Sequence, residues 1–552
     1  MDTIRRRIAK HMSTSGRQTR PALRRTGAVH PTSSRWLSLI VLCAGFLMII
    51  LYSTIVNVAL PSIQRDLGFS QSSLAWVVNA YLIAYGGLML LAGRLGDLIG
   101  RRRVFLSGLA LFTAASLLCG VSVSQPMLVA ARFVQGVGGA ASSAVVLGMI
   151  VTLFPEPGER ARAIGVFSFV AAAGGAIGLL AGGLITQAIS WHWIFFVNLP
   201  IGVATAVLAV RLLESDHGIG LGEGADVVGA LLVTAALMLG VYTIVESTDY
   251  GLGSTRTLGF GAVALILLAA FVIRQATARH PLLPLRLFLS RNVTGANVIQ
   301  AGMVAAMFGF FFLGSLDLER VLGYGPLAIG LAFLPVTLGI GTLSIGFSAR
   351  LITRWGARVV LLAGLVLMAV GLVLLARGPM YSDYVRGWLL LMVLLGVGAG
   401  LSFPALTILA MSGATPSDSG LASGLLNTTA QVGGALGLAV LATLSTNHTG
   451  ELLAQGQSTA AALSGGYHLA WAIGAGLVVA TIVLAATVLK SETVIEADSS
   501  LEEEVASCPQ EASEMTQHGG LSGVTGREGH DHTSAFSEMS GDSLTTQCKS
   551  RR

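Results

Sequence analysis

The sequence predicts an all-α membrane protein of fourteen transmembrane helices, arranged as two six-helix pseudo-repeat bundles with two further helices inserted between them. Three observations carry this. Runs of about 20 apolar residues recur along the chain, which is the length that spans a bilayer. Hydrophobic residues make up 53% of the 552 residues and charged residues only 11%, too few charges for an ordinary water-exposed surface. Basic residues fall in alternate loops, and glycine-bearing patterns repeat about half a chain apart.

Residues 1–35 form a basic arm with nine arginines and lysines, Arg5 to Arg35. The apolar run that follows, 36–59, is too long for the core of a signal peptide and reads as the first span. Five more runs, 73–92, 104–122, 127–153, 163–187 and 193–213, complete a first bundle over 36–213. The pair at 227–246 and 258–274 occupies an inserted region, 214–292. Runs at 293–316, 327–349, 359–376, 387–412, 424–445 and 467–489 form a second bundle over 293–490. Residues 491–552 are polar, rich in serine and threonine, and read as a disordered cytoplasmic tail.

With the N-terminus inside, 23 basic residues fall on the cytoplasmic side before the tail. Five, Arg65, Arg256, Arg320, Arg377 and Arg386, fall outside. This asymmetry sets both termini in the cytoplasm. The repeat pairs Gly174-Gly175-Ala176-Ile177-Gly178-Leu179 with Gly433-Gly434-Ala435-Leu436-Gly437-Leu438 at an offset of 259 (433 minus 174). Arg94, Leu95, Gly100 and Arg102 pair with Arg350, Leu351, Gly356 and Arg358 at 256 (350 minus 94). Duplicated six-span halves with a site at their interface are a transporter architecture.

No enzyme signature is present. The chain lacks a phosphate-binding loop, so an ion gradient or the substrate's own gradient must supply the energy. Gly136-Val137-Gly138-Gly139 lies within a span rather than after a strand, which excludes dinucleotide binding. No cofactor or metal is expected: Cys43 and Cys119 fall in spans, Cys508, Cys548, His530 and His532 in the tail, and none has ligand spacing. The net charge of +6 is placed for topology, not for nucleic acid. The expected partners are a small-molecule substrate, protons and the lipid bilayer; no periplasmic adaptor is indicated.

Four sets of residues carry the functional expectation. The polar interruption Gly93–Arg103, with Gly93, Gly96, Asp97, Gly100, Arg101 and Arg102, reads as a tight cytoplasmic loop. Arg132 sits in mid-span, with Gln135 and Gly136 on the same helix face. A guanidinium there either organises polar contacts in a cavity or snorkels to the membrane edge; Gln135 favours the cavity. Gly174, Gly178 and Gly182, spaced by four, make a smooth stripe for a neighbouring helix. Tyr52 and Asn57 on the first span, Trp76, Asn79 and Tyr81 on the second, and Asn198 on the sixth resemble, as a set, an amphipathic cavity lining.

Together these segments resemble the major facilitator superfamily, closest to its fourteen-span drug:proton antiporters. The resemblance runs over about residues 36–490. It is carried by Thr54–Pro61, Gly93–Arg103, Arg132 with Gln135-Gly136, Gly178–Gly183, Trp191–Pro200, Leu322-Gly323-Tyr324 with Pro326, and Gly420–Gly424. It implies the major facilitator fold, a cytoplasmic lock formed by Asp97 and its arginines, an antiporter motif that includes Gly183, and proton coupling involving Arg132. It also marks departures. Tyr52 stands where the family usually has an aspartate, Leu179 where it has proline, and His192 where it has arginine. Asp317 and Glu319 replace commoner uncharged residues; we read them as solvated charges at a loop edge, with a displaced proton site as the alternative. The expected function is export of hydrophobic or cationic drugs or toxic metabolites across a bacterial plasma membrane by proton antiport. A uniporter or dedicated metabolite or lipid exporter is the alternative that Tyr52 keeps open. A membrane sensor or scaffold is the alternative of another class.

Overall fold

The computed structural model describes residues 32–214, 216, 218, 220, 224–251, 253–378, 384–412 and 419–489. The basic arm before residue 32, and the tail with Cys508, Cys548, His530 and His532, lie outside the described residues, as does the side chain of Tyr52. The first six helices are α1 Thr32–Leu67, α2 Gln71–Ile99, α3 Arg101–Gly120, α4 Gln125–Leu153, α5 Pro157–Ala188 and α6 Trp193–Leu212. The inserted pair is α7 Val227–Tyr250 and α8 Thr255–Thr277. The second set is α9 Arg291–Arg320, α10 Pro326–Thr342, α11 Ala357–Arg377, α12 Leu389–Ser412, α13 Ser419–Ala454 and α14 Thr459–Thr487. A π turn, Leu343–Phe347, joins α10 to a short helix, Ser348–Trp355.

Among the described residues, twelve helices are long and apolar enough to cross a membrane; the apolar stretches Ala173–Ala188 of α5 and Pro326–Thr342 of α10 are shorter. The expected fourteen spans therefore rest on those two short stretches. Several helices outrun their apolar cores. The 36–59 run lies within Thr32–Leu67 and the 424–445 run within Ser419–Ala454, because backbone hydrogen bonding continues past the apolar segment.

One expectation needs correcting. The stretch 93–103 is not a loop: α2 runs to Ile99 and α3 begins at Arg101, leaving Gly100 alone as the break. Leu95 and Leu98 keep apolar positions in the last turns of α2, and no proline interrupts them. Gly100 takes φ +102, open to glycine and strained for other residues. Its N–H still bonds the Gly96 carbonyl at 3.1 Å.

The two halves pack by one plan. On α5, Gly174 meets Leu47 and Ile50, Gly178 meets Thr54 and Leu51, and Gly182 meets Ile55, all on α1. On α13, Gly433 and Gly437 meet Ala301 and Ala305 on α9. Gly136 of α4 abuts the Tyr81 carbonyl of α2, and Gly396 of α12 abuts the Val336 carbonyl of α10. Corresponding pairs lie about 255 residues apart, as expected of a duplicated bundle. Small residues permit these close backbone approaches, which drive helix association where lipid supplies no hydrophobic force.

Two seams join the halves. At the α2–α13 seam, a Cβ on Gly86 would sit 2.8 Å from Gln431, and one on Gly424 would sit 2.9 Å from Leu90. At the α5–α10 seam, Gly183 lies against the Pro326 carbonyl and Gly330 against that of Leu179, while the Leu327 N–H donates to Gln187 Oε1 at 3.2 Å. Helix α7 lies along the first seam. Its Thr234 packs on Gly87 of α2, and its Ile244 carbonyl accepts from Thr443 Oγ1 of α13 at 3.3 Å. Helix α8 packs on α7, with Tyr242 and Phe260 edge to face at 5.5 Å. It leaves Leu265 and Ile266 exposed, the composition a lipid-facing helix needs.

Candidate functional site

The first polar cluster surrounds the α2–α3 turn. Arg101 donates from one guanidinium nitrogen to Asp97 Oδ1 at 3.1 Å, and from the other to the Gly148 carbonyl at 3.0 Å and Thr152 Oγ1 at 3.2 Å. Arg101 thereby ties the ends of α2 and α3 to α4. Gly96 allows this by lying directly on Val145 of α4. Arg102 donates to the Val210 carbonyl of α6. Gly93 faces open space. Among the described residues, Asp97 and Arg101 make all these contacts within the first half.

Sequence reasoning missed a fifth element of this cluster. The segment after α6 folds over the turn, and Asp216 accepts the backbone N–H of Arg101 at 2.6 Å and of Arg102 at 3.1 Å. The N–H of Gly220 donates to the Leu98 carbonyl at 3.0 Å, and Arg94 Nε donates to the Gly224 carbonyl at 3.4 Å. This is an N-cap supplied by a distant segment: a carboxylate at the positive end of α3 satisfying two of its orphan donors. An isolated aspartate in a loop gives no sequence signal for such a role.

The second cluster is centred on Arg132, which is 1% exposed. Its Nε donates to the Val77 carbonyl at 2.6 Å, its Nη1 donates to Gln135 Oε1 at 2.9 Å, and its guanidinium lies 4.5 Å from the centre of the Tyr81 ring. Gln135 Nε2 donates to Ser116 Oγ at 2.7 Å, and the Cys119 thiol donates to Gln135 Oε1 at 3.8 Å. The guanidinium is thus held inside the first half among α2, α3 and α4 and does not reach the membrane edge. Tyr81 stacks on Tyr85 at 5.7 Å.

The other expected cavity residues lie on α1, α2 and α6. Asn198 donates to the carbonyl of Ile194, one turn back on its own helix. Asn79 is fully buried in α2, and among the described residues neither of its amide atoms has a hydrogen-bond partner. Asn57 is buried on α1, and Trp76 is half-buried on α2. Gly174, Gly178 and Gly182 face α1 within one half, whereas Gly183 faces α10 across the seam.

The third cluster closes the opposite end. Glu319 of α9 pairs with Arg65 of α1 at 3.0 Å, and Arg320 donates to Gln64 Oε1. Trp191 Nε1 donates to Asp66 Oδ2 at 2.8 Å, and His192 stacks on Trp191 with ring centres 3.7 Å apart. Burial pushes the His192 imidazole below its usual value, against the pull of Asp66. Asp317, only 6% exposed, lies inside the protein. The reading of Asp317 and Glu319 as solvated loop-edge charges is therefore wrong. Helix α9 continues to Arg320, so both residues sit in its last turn, with Asp317 covered and Glu319 drawn into an ion pair.

A fourth polar group lies where the inserted pair begins. Asp226 caps α7 through the Gly229 N–H at 2.9 Å and accepts Arg274 Nε at 3.0 Å and Gln275 Nε2 at 2.8 Å. Burial raises its carboxyl, but these donors outweigh burial and hold it below the ordinary value. An aspartate immediately before an apolar run is a cap signal that the sequence did contain.

Two helix bundles of one plan, joined at seams and fastened by separate polar clusters at opposite ends, define a polytopic membrane transporter. A family model described as Major Facilitator Superfamily matches residues 41–438 and again 298–527. The chain belongs to the Major Facilitator Superfamily. It is 38% identical to the puromycin resistance protein pur8 of Streptomyces alboniger, over 82% of this chain and 91% of that protein. It is also 38% identical to the cephamycin export protein CmcT of Amycolatopsis lactamdurans, over 77% and 88%. Among solved structures, the POT family transporter PepTSo superposes with a TM-score of 0.60 at 15% identity, covering 83% of this chain and 99% of that one. That likeness establishes the fold.

Proposed function

We propose that this protein exports hydrophobic or cationic small molecules from the cytoplasm by proton antiport, through alternating access of its two halves. The similarity to antibiotic resistance and export proteins over about four-fifths of the chain carries this reading. The packing supports it. The halves share one plan and meet along glycine-lined seams, which suits rocking of rigid bundles. The Glu319 end is latched across α1 and α9, while the described contacts of Asp97 stay within one half, the asymmetry expected of a state open toward the Asp97 end. In this reading all fourteen helices span a bacterial inner membrane. Residues 1–35 and 491–552 are cytoplasmic, 36–213 and 293–490 are the moving bundles, and 214–292 is inserted. The Asp97 cluster is then the inner gate, the Glu319 cluster the outer gate, and Arg132 an organiser of the proton path.

Tyr52, in place of a first-span acid, favours a second reading, uniport without coupling. Efflux of a fluorescent lipophilic cation from loaded proteoliposomes separates the two. Antiport requires an imposed pH gradient to accelerate efflux by about tenfold or more, equivalent to about 1.4 kcal/mol in the barrier. A protonophore should abolish that acceleration. Efflux that proceeds at one rate with and without the gradient refutes antiport and leaves uniport.

A further inference from the structure

Asp317 is a carboxylate 6% exposed in a membrane-spanning helix, and among the described residues its side chain has no hydrogen bond or ion pair. One turn earlier, Gly314 lies against Phe333 and Trp388, so its surroundings on that side are apolar. Its own carbonyl already accepts the N–H groups of Val321 and Leu322 at 3.0 and 3.2 Å. The side chain thus sits at the C-terminal, negative end of α9. An ionised carboxylate without a partner is costly in such a place, whereas a protonated one is far less so.

Its neighbours along the helix are committed elsewhere. Glu319 and Arg320 reach across to Arg65 and Gln64 of α1, the contacts that close this end. From α14, the buried Tyr467 hydroxyl lies in the field of Arg320, Asp317 and Glu319. His468, next on α14, faces Ser464 and Trp471 instead. On α13, His448 and Glu451 pair with one another at 3.3 Å. Tyr324 follows α9 and Tyr384 precedes α12, and their hydroxyls influence each other. Arg320 is therefore the cation placed to change partners. It stands three residues from Asp317, on the same face of α9, and it is held by α1 only while this end is closed.

We propose that Asp317 is a proton-binding site of the outer gate. When α1 and α9 separate, Arg320 loses Gln64 and pairs with the ionised Asp317. A proton taken from the outer water neutralises Asp317 and breaks that pair. Arg320 and Glu319 are then released to Gln64 and Arg65, and the gate closes over the buried, protonated acid. The proposal rests on the transport reading and orientation given above, and it names the group through which external protons act.

Spin labels report the gate directly. Ala188→Cys and Gly325→Cys flank the contact of Gln187 with the start of α10, in a full-length chain whose Cys43, Cys119, Cys508 and Cys548 are replaced by alanine. In lipid nanodiscs, the closed-to-open ratio of the wild type should rise about fivefold or more between about pH 8 and about pH 5. Asp317→Asn, permanently neutral, should stay closed across that range with less than about a twofold change. Asp317→Glu should restore the response. His468→Gln and His192→Gln should retain it, which assigns the titration to the acid. If Asp317→Asn does not reach the membrane, Asp317→Ser carries the same expectation. A wild-type distance that ignores pH, or an Asp317→Asn gate that follows pH as the wild type does, overturns the proposal. Gradient-driven efflux of the wild type is measured in parallel. Its absence together with a pH-sensitive gate refutes the antiport reading and leaves Asp317 as the gate's proton site.

Discussion

Asp216→Ala should loosen the α2–α3 turn and slow export without removing the protein from the membrane. The variant deletes two charge-assisted acceptors, those of the Arg101 N–H at 2.6 Å and the Arg102 N–H at 3.1 Å. Loss of a capping side chain costs about 0.5–2 kcal/mol. Asp216 is exposed, so its charge is screened and the helix-dipole share is a small part of that sum. A net cost of about 1–2 kcal/mol corresponds to a 5–30-fold change in the ratio of seated to unseated segment. Hydrogen exchange of the peptide covering 98–103 reads that ratio and should quicken by this factor. Asp216→Asn keeps an acceptor oxygen and should give a smaller increase. Gly218→Ala supplies a test independent of charge, because a Cβ at 218 would collide with the Leu98 carbonyl and lift the segment. Unchanged exchange in both Asp216→Ala and Gly218→Ala would refute the capping role.

Two further outcomes follow. Arg132→Lys keeps the charge but not the fork that serves Val77, Gln135 and the Tyr81 face together; losing a charge-assisted bond at about 1.5–3 kcal/mol should cut proteoliposome efflux by about tenfold or more while expression persists, and wild-type efflux would remove Arg132 from the proton path. Asp226 has a carboxyl held below its ordinary value of 3.8, so its contribution to stability is fully present above that value and is lost as the pH falls through the lowered one. Asp226→Asn should accordingly lower the thermal midpoint at neutral pH and flatten the acid limb of the stability profile, and a midpoint equal to wild type at pH 7 would show that the Asp226–Arg274–Gln275 clip contributes nothing.

The features legible in the sequence are those that obey local rules. Apolar run length marked the helices, and the spacing of Gly174, Gly178 and Gly182 marked a helix-facing stripe. The repeat at offset 259 anticipated that Gly433 and Gly437 would serve α9 as Gly174 and Gly178 serve α1. What could not be read depends on distant approach. Nothing near Asp216 says that the segment after α6 returns to the turn at Gly100, more than a hundred residues earlier. Nothing near Asp317 says that it is buried while its neighbours Glu319 and Arg320 cross to α1. Charge near the end of an apolar run has the same local pattern whether tertiary packing solvates it or buries it. The stretch 93–103 was misread for a related reason: glycine and arginine are breaker and loop signals on average, yet a helix lacking proline continues until a residue takes positive φ, here at Gly100.

The inserted pair acquires a mechanical meaning from the same contacts. The first part of α7 belongs to the first half, with Thr234 on Gly87 and Ala230 packed with Leu91 and Leu282. Its later part reaches the second half, where Thr443 donates to the Ile244 carbonyl. The segment that leads into it carries Asp216 and Gly224, which bind the turn between α2 and α3. Relative motion of the halves along the α2–α13 seam must therefore strain one attachment of α7 or slide it. Among the described residues one hydrogen bond, from Thr443 to Ile244, ties α7 to α13, and an exchange between backbone and hydroxyl partners costs only about 0.5–1.5 kcal/mol. Among the described residues, the polar attachments of the pair and of the segment leading into it lie mostly on the first half. That is the arrangement in which an added element can follow one bundle through a rocking cycle without locking the other.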